Sequence, residues 1–120
     1  MTERTVKNLP FDPEFTTDYG DQHTDDRYKS SRLKSFGPVF YMFKKDSSTG
    51  PETMDYEEIH YVIEGEMTLT VEQDGETYSV VGKPGEILSI EKGSTVTISA
   101  SKGTRTLCVV SPIDRDDLTD

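Results

Sequence analysis

The chain has 120 residues, enough for one domain with a single core that buries roughly two-thirds of the unfolded surface. Its formal net charge is −10, with 23 acidic against 13 basic residues and 32% hydrophobic content. A field of that sign repels phosphate polymers and anionic lipid, so neither nucleic acid nor membrane is expected as a partner.

Residues 1–36 carry mixed charges (Asp18, Asp21, Asp25, Asp26, then Lys29, Arg32, Lys34) and scattered aromatics (Phe11, Phe15, Tyr19, Tyr28) with no sustained period. Pro10 and Pro13 argue against an early helix. Two readings stay open for this segment: an arm lying on the domain or exchanged with a partner subunit, and partial disorder. From residue 37 the character is β. PVFYMFKK, aromatic and β-branched at its start, predicts a strand. DSSTGPETMD follows as a polar loop, and EEIHYVIEG as a strand ending at Gly65. EMTLTVE alternates, with Met67, Leu69 and Val71 on one face and Thr68, Thr70 and Glu72 on the other. Asp74-Gly75 is a hairpin signal, because both residues tolerate the positive φ of a tight turn. ETYSVV, EILSI, TVTISA and TLCVV complete the set of strands, and residues 113–120 form an acidic tail. Glycines 65, 75, 85, 93 and 103 punctuate the strands at roughly ten-residue intervals, the rhythm of a sandwich or barrel. The expected fold is all-β, with the barrel over residues 37–112.

Within this pattern, Glu58 is followed seven residues later by Gly65, and Gly85 six residues later by Glu91, then Lys92 and Gly93. Both segments resemble the two cupin motifs, which implies a jelly-roll barrel and, commonly, a homodimer. Tyr56-Glu57-Glu58-Ile59 and the Lys92-Gly93-Ser94 turn are most similar to the cupin domain of the ethanolamine-utilisation EutQ family. That resemblance implies acetate kinase activity and bacterial microcompartments as context. The residues themselves give the kinase reading little support: there is no phosphate-cradling Gly-rich loop followed by Lys-Ser or Lys-Thr. Lys92-Gly93-Ser94 reads as a plain tight turn before it reads as an anion cradle. The cupin pattern also implies three metal-binding histidines beside the glutamate. Their places fall on Pro51 or Glu52, on Thr53 or Met54, and on Val96, so the usual metal site is expected to be absent, and no cofactor is expected.

Side chains alternate along a strand, so Tyr56, Glu58 and His60 share one face. The resemblance turns that face into the barrel. A carboxylate and an imidazole confined together can serve as general base and acid, and Glu58 and His60 are the candidate catalytic residues. Tyr56, Tyr41 and Phe43 are candidate ligand-binding residues. The plainer reading is a satisfied polar pair at a barrel mouth. Three functions stay open at this point: a metal-independent or Mg²⁺-assisted enzyme acting on a small metabolite, a non-catalytic sensor or assembly protein, and a metal-dependent oxygenase or isomerase with an altered ligand set, such as Glu58, His60 and Glu52. Cys108 in TLCVV reads as an ordinary buried thiol, and His23 as a solvated arm residue. A chain with one cysteine cannot form an intrachain disulfide, and no segment has the apolar run of a signal peptide or of a roughly 20-residue transmembrane helix, so a cytoplasmic location is expected.

Overall fold

The computed structural model describes residues 5–11, 16–19, 22–25 and 31–112. Among them are eleven strands: β1 Thr16–Tyr19, β2 Gln22–Asp25, β3 Gly37–Phe43, β4 Ser47–Ser48, β5 Glu52–Thr53, β6 Glu57–Glu64, β7 Met67–Gln73, β8 Glu76–Gly82, β9 Ile87–Ile90, β10 Thr95–Ala100 and β11 Arg105–Ser111. They form two sheets, one of order β1-β2-β3-β11-β6-β9 and one of order β4-β10-β7-β8 with β5 also on β10. The seven strands read from residue 37 onward all form. Two expectations change. The 44–55 stretch is not simply a loop, since Ser47–Ser48 and Glu52–Thr53 pair with two ends of β10. Two-residue strands carry no alternation, which is why the pattern is silent there. The arm likewise supplies β1 and β2, a hairpin whose second strand pairs with β3 of the same chain, His23 opposite Met42. The acidic tail at 113–120 lies outside the described residues.

Alternation decides what is inside. On β7 and β10, Met67, Leu69, Val96 and Ile98 are buried, with Val71 and Ala100 packed against them. The core is completed by Phe43, Met54 and Val62 with Leu88 and Ile90. On β6, burial alternates cleanly over Glu57–Val62, with Glu58, His60 and Val62 turned inward.

The outer faces differ in kind. That of the smaller sheet carries Thr68, Thr70, Thr97 and Ser99, with Thr70 paired to Thr97 and Ser79. On the larger sheet the register aligns Phe40, Leu107, Tyr61 and Ile87 in one outward row and Pro38, Val109, Ile59 and Ser89 in the next. Tyr61 is 43% and Ile87 61% exposed. Among the described residues, cover is found at one end of this patch: Phe11 stands edge-on to Phe40, ring centroids 5.6 Å apart, with the Arg105 guanidinium 5.9 Å from the Phe11 ring.

Two glycines show what the turns require. Asp74 (φ 52°) and Gly75 (φ 77°) take the paired left-handed conformations of a tight hairpin. Gly65 is also left-handed (φ 78°), but a Cβ there would run into the Thr104 side chain and come within 2.8 Å of the Thr104 Cα. At Gly75 nothing lies within 4 Å. Gly75→Ala should therefore cost about 1 kcal/mol, the backbone term alone. Gly65→Ala should cost about 3 kcal/mol or more, because a β6–β7 turn packed on backbone cannot yield. Urea unfolding of the two variants checks this, and equal costs would mean that the Thr104 contact is relieved by a shift of the turn.

Candidate functional site

β6 lies between β11 and β9, so its inward side chains face partners on both flanks. The antiparallel register sets Cys108 opposite His60 on one side and Leu88 opposite it on the other. Glu58 is flanked in the same way by Val110 and Ile90. The result is a polar cluster on an otherwise apolar inner face. His60 is 1%, Cys108 3% and Glu58 8% exposed.

Each polar atom of the cluster has a partner. His60 Nε2 lies 3.1 Å from Glu58 Oε2, and His60 Nδ1 lies 2.8 Å from Thr106 Oγ1. The Cys108 thiol donates to Glu58 Oε1 at 3.3 Å. An ionised carboxylate only accepts, so an ionised Glu58 takes the Nε2–H, and Nδ1 then accepts the Thr106 hydroxyl. Thr106–His60–Glu58–Cys108 thus forms one continuous chain of hydrogen bonds across two neighbouring strands.

Aromatic groups close the site on one side. The Tyr41 ring meets the His60 imidazole edge-on at 5.6 Å and lies 5.4 Å from the Phe43 ring. Burial first, and the Glu58 carboxylate second, push the phenols of Tyr41 and Tyr56 up from their ordinary value. The same two causes push the Cys108 thiol up, reinforced by its hydrogen bond to Glu58. All three groups therefore enter the site as neutral donors at neutral pH. The structure brings Glu58, His60 and Tyr41 together as one group. Tyr56 is half-buried at its edge and packs on the core, and Phe43 is a member of the core itself.

Thr106 and Cys108 were not legible as site residues. Alternation in RTLCVVS does put the two on one face, yet only the pairing of β11 with β6 shows that this face meets Glu58 and His60. Burial of Cys108 is as read from the sequence; its bond to Glu58 is the new feature. Lys92-Gly93-Ser94 is a turn in which two amides are engaged within the fold, Gly93 N–H on the Met54 carbonyl at 2.8 Å and Ser94 N–H on the Glu91 carbonyl at 3.1 Å.

A cavity of about 680 Å³ opens where the edge strands β8 and β9 of the two sheets face each other. Its walls include Leu69, Val71, Tyr78, Leu88, Ile90 and Val96, with Glu72, Asp74 and Glu91 also in its lining. None of the five residues singled out from the sequence lines it. Leu88 and Ile90, however, are the strand partners of His60 and Glu58, so one strand separates the cavity from the cluster.

The three-histidine metal set of the cupin pattern does not fit this chain. Met54 and Val96 are buried members of the apolar core, and Glu52 and Thr53 are exposed on β5. No imidazole stands at any of these places to join Glu58 in the cupin ligand set.

Comparison with known proteins agrees with this architecture. The family described as ethanolamine utilisation protein EutQ matches residues 13–117. The structure of the Clostridium difficile EutQ protein is 30% identical, with a TM-score of 0.62, over 78% of this chain and 64% of that one. KdgF from Halomonas shares the fold at 16% identity, with a TM-score of 0.66 over 86% of this chain and 92% of that one. A curated relative, acetate kinase EutQ of Salmonella typhimurium, is 37% identical over 67 residues, 56% of this chain and 28% of that protein. This chain therefore spans just over a quarter of that relative's length in the matched region. The match over residues 13–117, on a cupin jelly-roll with the motif residues where the strands require them, makes this chain a member of the EutQ family.

Proposed function

We propose that this chain binds a two-carbon amine or carboxylic acid of ethanolamine utilisation in its barrel, with Glu58 and His60 as the polar anchor of the site. The observation that carries the reading is the buried Thr106–His60–Glu58–Cys108 chain on an apolar sheet face. Burying such groups costs several kcal/mol that an all-apolar face would avoid. Tyr41 and Tyr56, held protonated, add hydroxyl donors at its edge. The size class of the ligand follows the family description and the Salmonella relative's name. Kinase activity is not part of the reading, since two amides of the Lys92-Gly93-Ser94 turn are engaged within the fold. One free, buried thiol suits a cytoplasmic location, and among the described residues no helix is long and apolar enough to cross a membrane.

The outward rows of the larger sheet support a homodimer. Phe40, Tyr61, Ile87, Ile59 and Val109 form a continuous apolar face, whereas the opposite sheet presents mainly threonine and serine, with Val81 among them. A contiguous patch of this kind is what a subunit contact covers. Sheet-to-sheet pairing through it leaves the barrel interior free.

Two measurements test these readings. Calorimetric titration of ethanolamine and of acetate into the purified protein should show saturable binding of one of them, weakened at least tenfold by Glu58→Gln. Absence of binding by folded protein, or binding unchanged in Glu58→Gln, would remove the barrel site. Light scattering should give twice the 13.5 kDa chain mass, and Tyr61→Glu should return it to the chain mass. At a side chain this exposed, the substitution should move monomer stability by only about 0.5 kcal/mol. A monomeric parent chain would sink the dimer.

A further inference from the structure

We infer that Glu58, His60 and Cys108 form a three-ligand site for a divalent zinc-class ion with an open fourth position, one strand away from the cavity between β8 and β9. The inference deepens the reading above and rests on it for the role of that open position. It differs from the histidine set of the cupin pattern, with which it shares only Glu58.

The donor set is the first argument. Among the described residues, these three are a group whose ligand atoms all lie within 4.8 Å of one another, and all three are buried. Thiolate, imidazole and carboxylate together are the donor types that zinc takes, and three protein ligands with one open position is its catalytic arrangement. The distances are the second. A tetrahedral ion with arms of about 2.0–2.3 Å sets its ligand atoms about 3.3–3.7 Å apart. Glu58 Oε2 and His60 Nε2 stand at 3.1 Å, and the other carboxylate oxygen, Oε1, stands 3.3 Å from Cys108 Sγ. With one oxygen of Glu58 as ligand the three atoms lie within 4.8 Å of one another, so side chains must draw in around the ion.

The third argument is the residue behind the imidazole. A metal-bound histidine is normally held by a partner on its other nitrogen, which sets the tautomer. Thr106 Oγ1 stands 2.8 Å from Nδ1, leaving Nε2 toward Glu58 and Cys108. On binding, the imidazole proton resides on Nδ1 and is donated to Thr106, Nε2 gives its lone pair to the ion, and the thiol proton leaves to water. Charge is the fourth. Zn²⁺ with one thiolate, one carboxylate and a neutral imidazole sums to zero, the least costly ionic state to hold against Leu88, Ile90 and Val110. Glu58 is the least buried of the three and marks the side from which the ion enters.

The test uses the unmodified chain first. Cobalt(II), the spectroscopic substitute for zinc, is added to chelator-treated protein. Because Cys108 is the only cysteine, a thiolate-to-cobalt charge-transfer band can arise from no other residue. The expected result is such a band saturating at one ion per chain and abolished by an equivalent of Zn²⁺. Cys108→Ser should lose the band, and Thr106→Val should keep it while binding zinc tenfold to a hundredfold more weakly. Circular dichroism confirms that both variants are folded. No band from the folded parent chain at saturating cobalt, or unchanged zinc affinity in Cys108→Ser, overturns the site. Unchanged affinity in Thr106→Val overturns the assigned donor atom. Ethanolamine or acetate binding without a cobalt band defeats the zinc site and leaves the small-molecule reading standing. A band without binding of either does the reverse.

Discussion

A glutamate and a histidine two residues apart on a central strand must point the same way, and in β6 that way is inward. β6 is paired on both flanks across Glu58–Tyr61, so neither side chain can turn to solvent without breaking the sheet. An inward carboxylate without partners would cost several kcal/mol. The structure answers with β11, whose register delivers Thr106 and Cys108 to the same face. Much of the molecule follows from that. The Gly65 turn, packed against Thr104, sends the chain from β6 into β7 and the second sheet, and Tyr41 closes the cluster from β3.

The same register that satisfies the interior shapes the exterior. Alternation obliges Ile59 and Tyr61, the neighbours of Glu58 and His60, to face outward, where they align with Leu107, Val109 and Ile87. A polar inner cluster and an apolar outer face are thus two sides of one constraint, inverted from the usual arrangement of a half-exposed sheet. The smaller sheet keeps the ordinary order, with Met67, Leu69, Val96 and Ile98 inside and threonines outside. The two sheets differ in kind: one seals the core, while the other carries the buried polar cluster inside and the apolar face outside.

Where a cupin pattern places histidines, this chain has Met54 and Val96, and both are absorbed into the core. The polar positions have moved along β6 and across to β11, one strand from a sizeable cavity between β8 and β9. Glu58 is the point common to the two arrangements. A barrel can exchange one polar set for another in this way because its inward positions are equivalent in geometry and differ only in what fills them.

From its residues alone this chain specified an all-β barrel, its seven principal strands, the Asp74-Gly75 turn and the one face shared by Glu58 and His60. Each of these depends on period-two alternation or on the backbone freedom of a single glycine, properties written in consecutive residues. The remainder was beyond local reading. Strands of two residues carry no period, the hairpin of Thr16–Tyr19 and Gln22–Asp25 is held by its pairing with β3, and Phe43 belongs to the core through contacts made across the sheets. Thr106 and Cys108 lie 46 and 50 residues from their partners His60 and Glu58. Their role was decided by the register of β11 on β6, because which inward face meets which is settled only when strands distant in the chain pair.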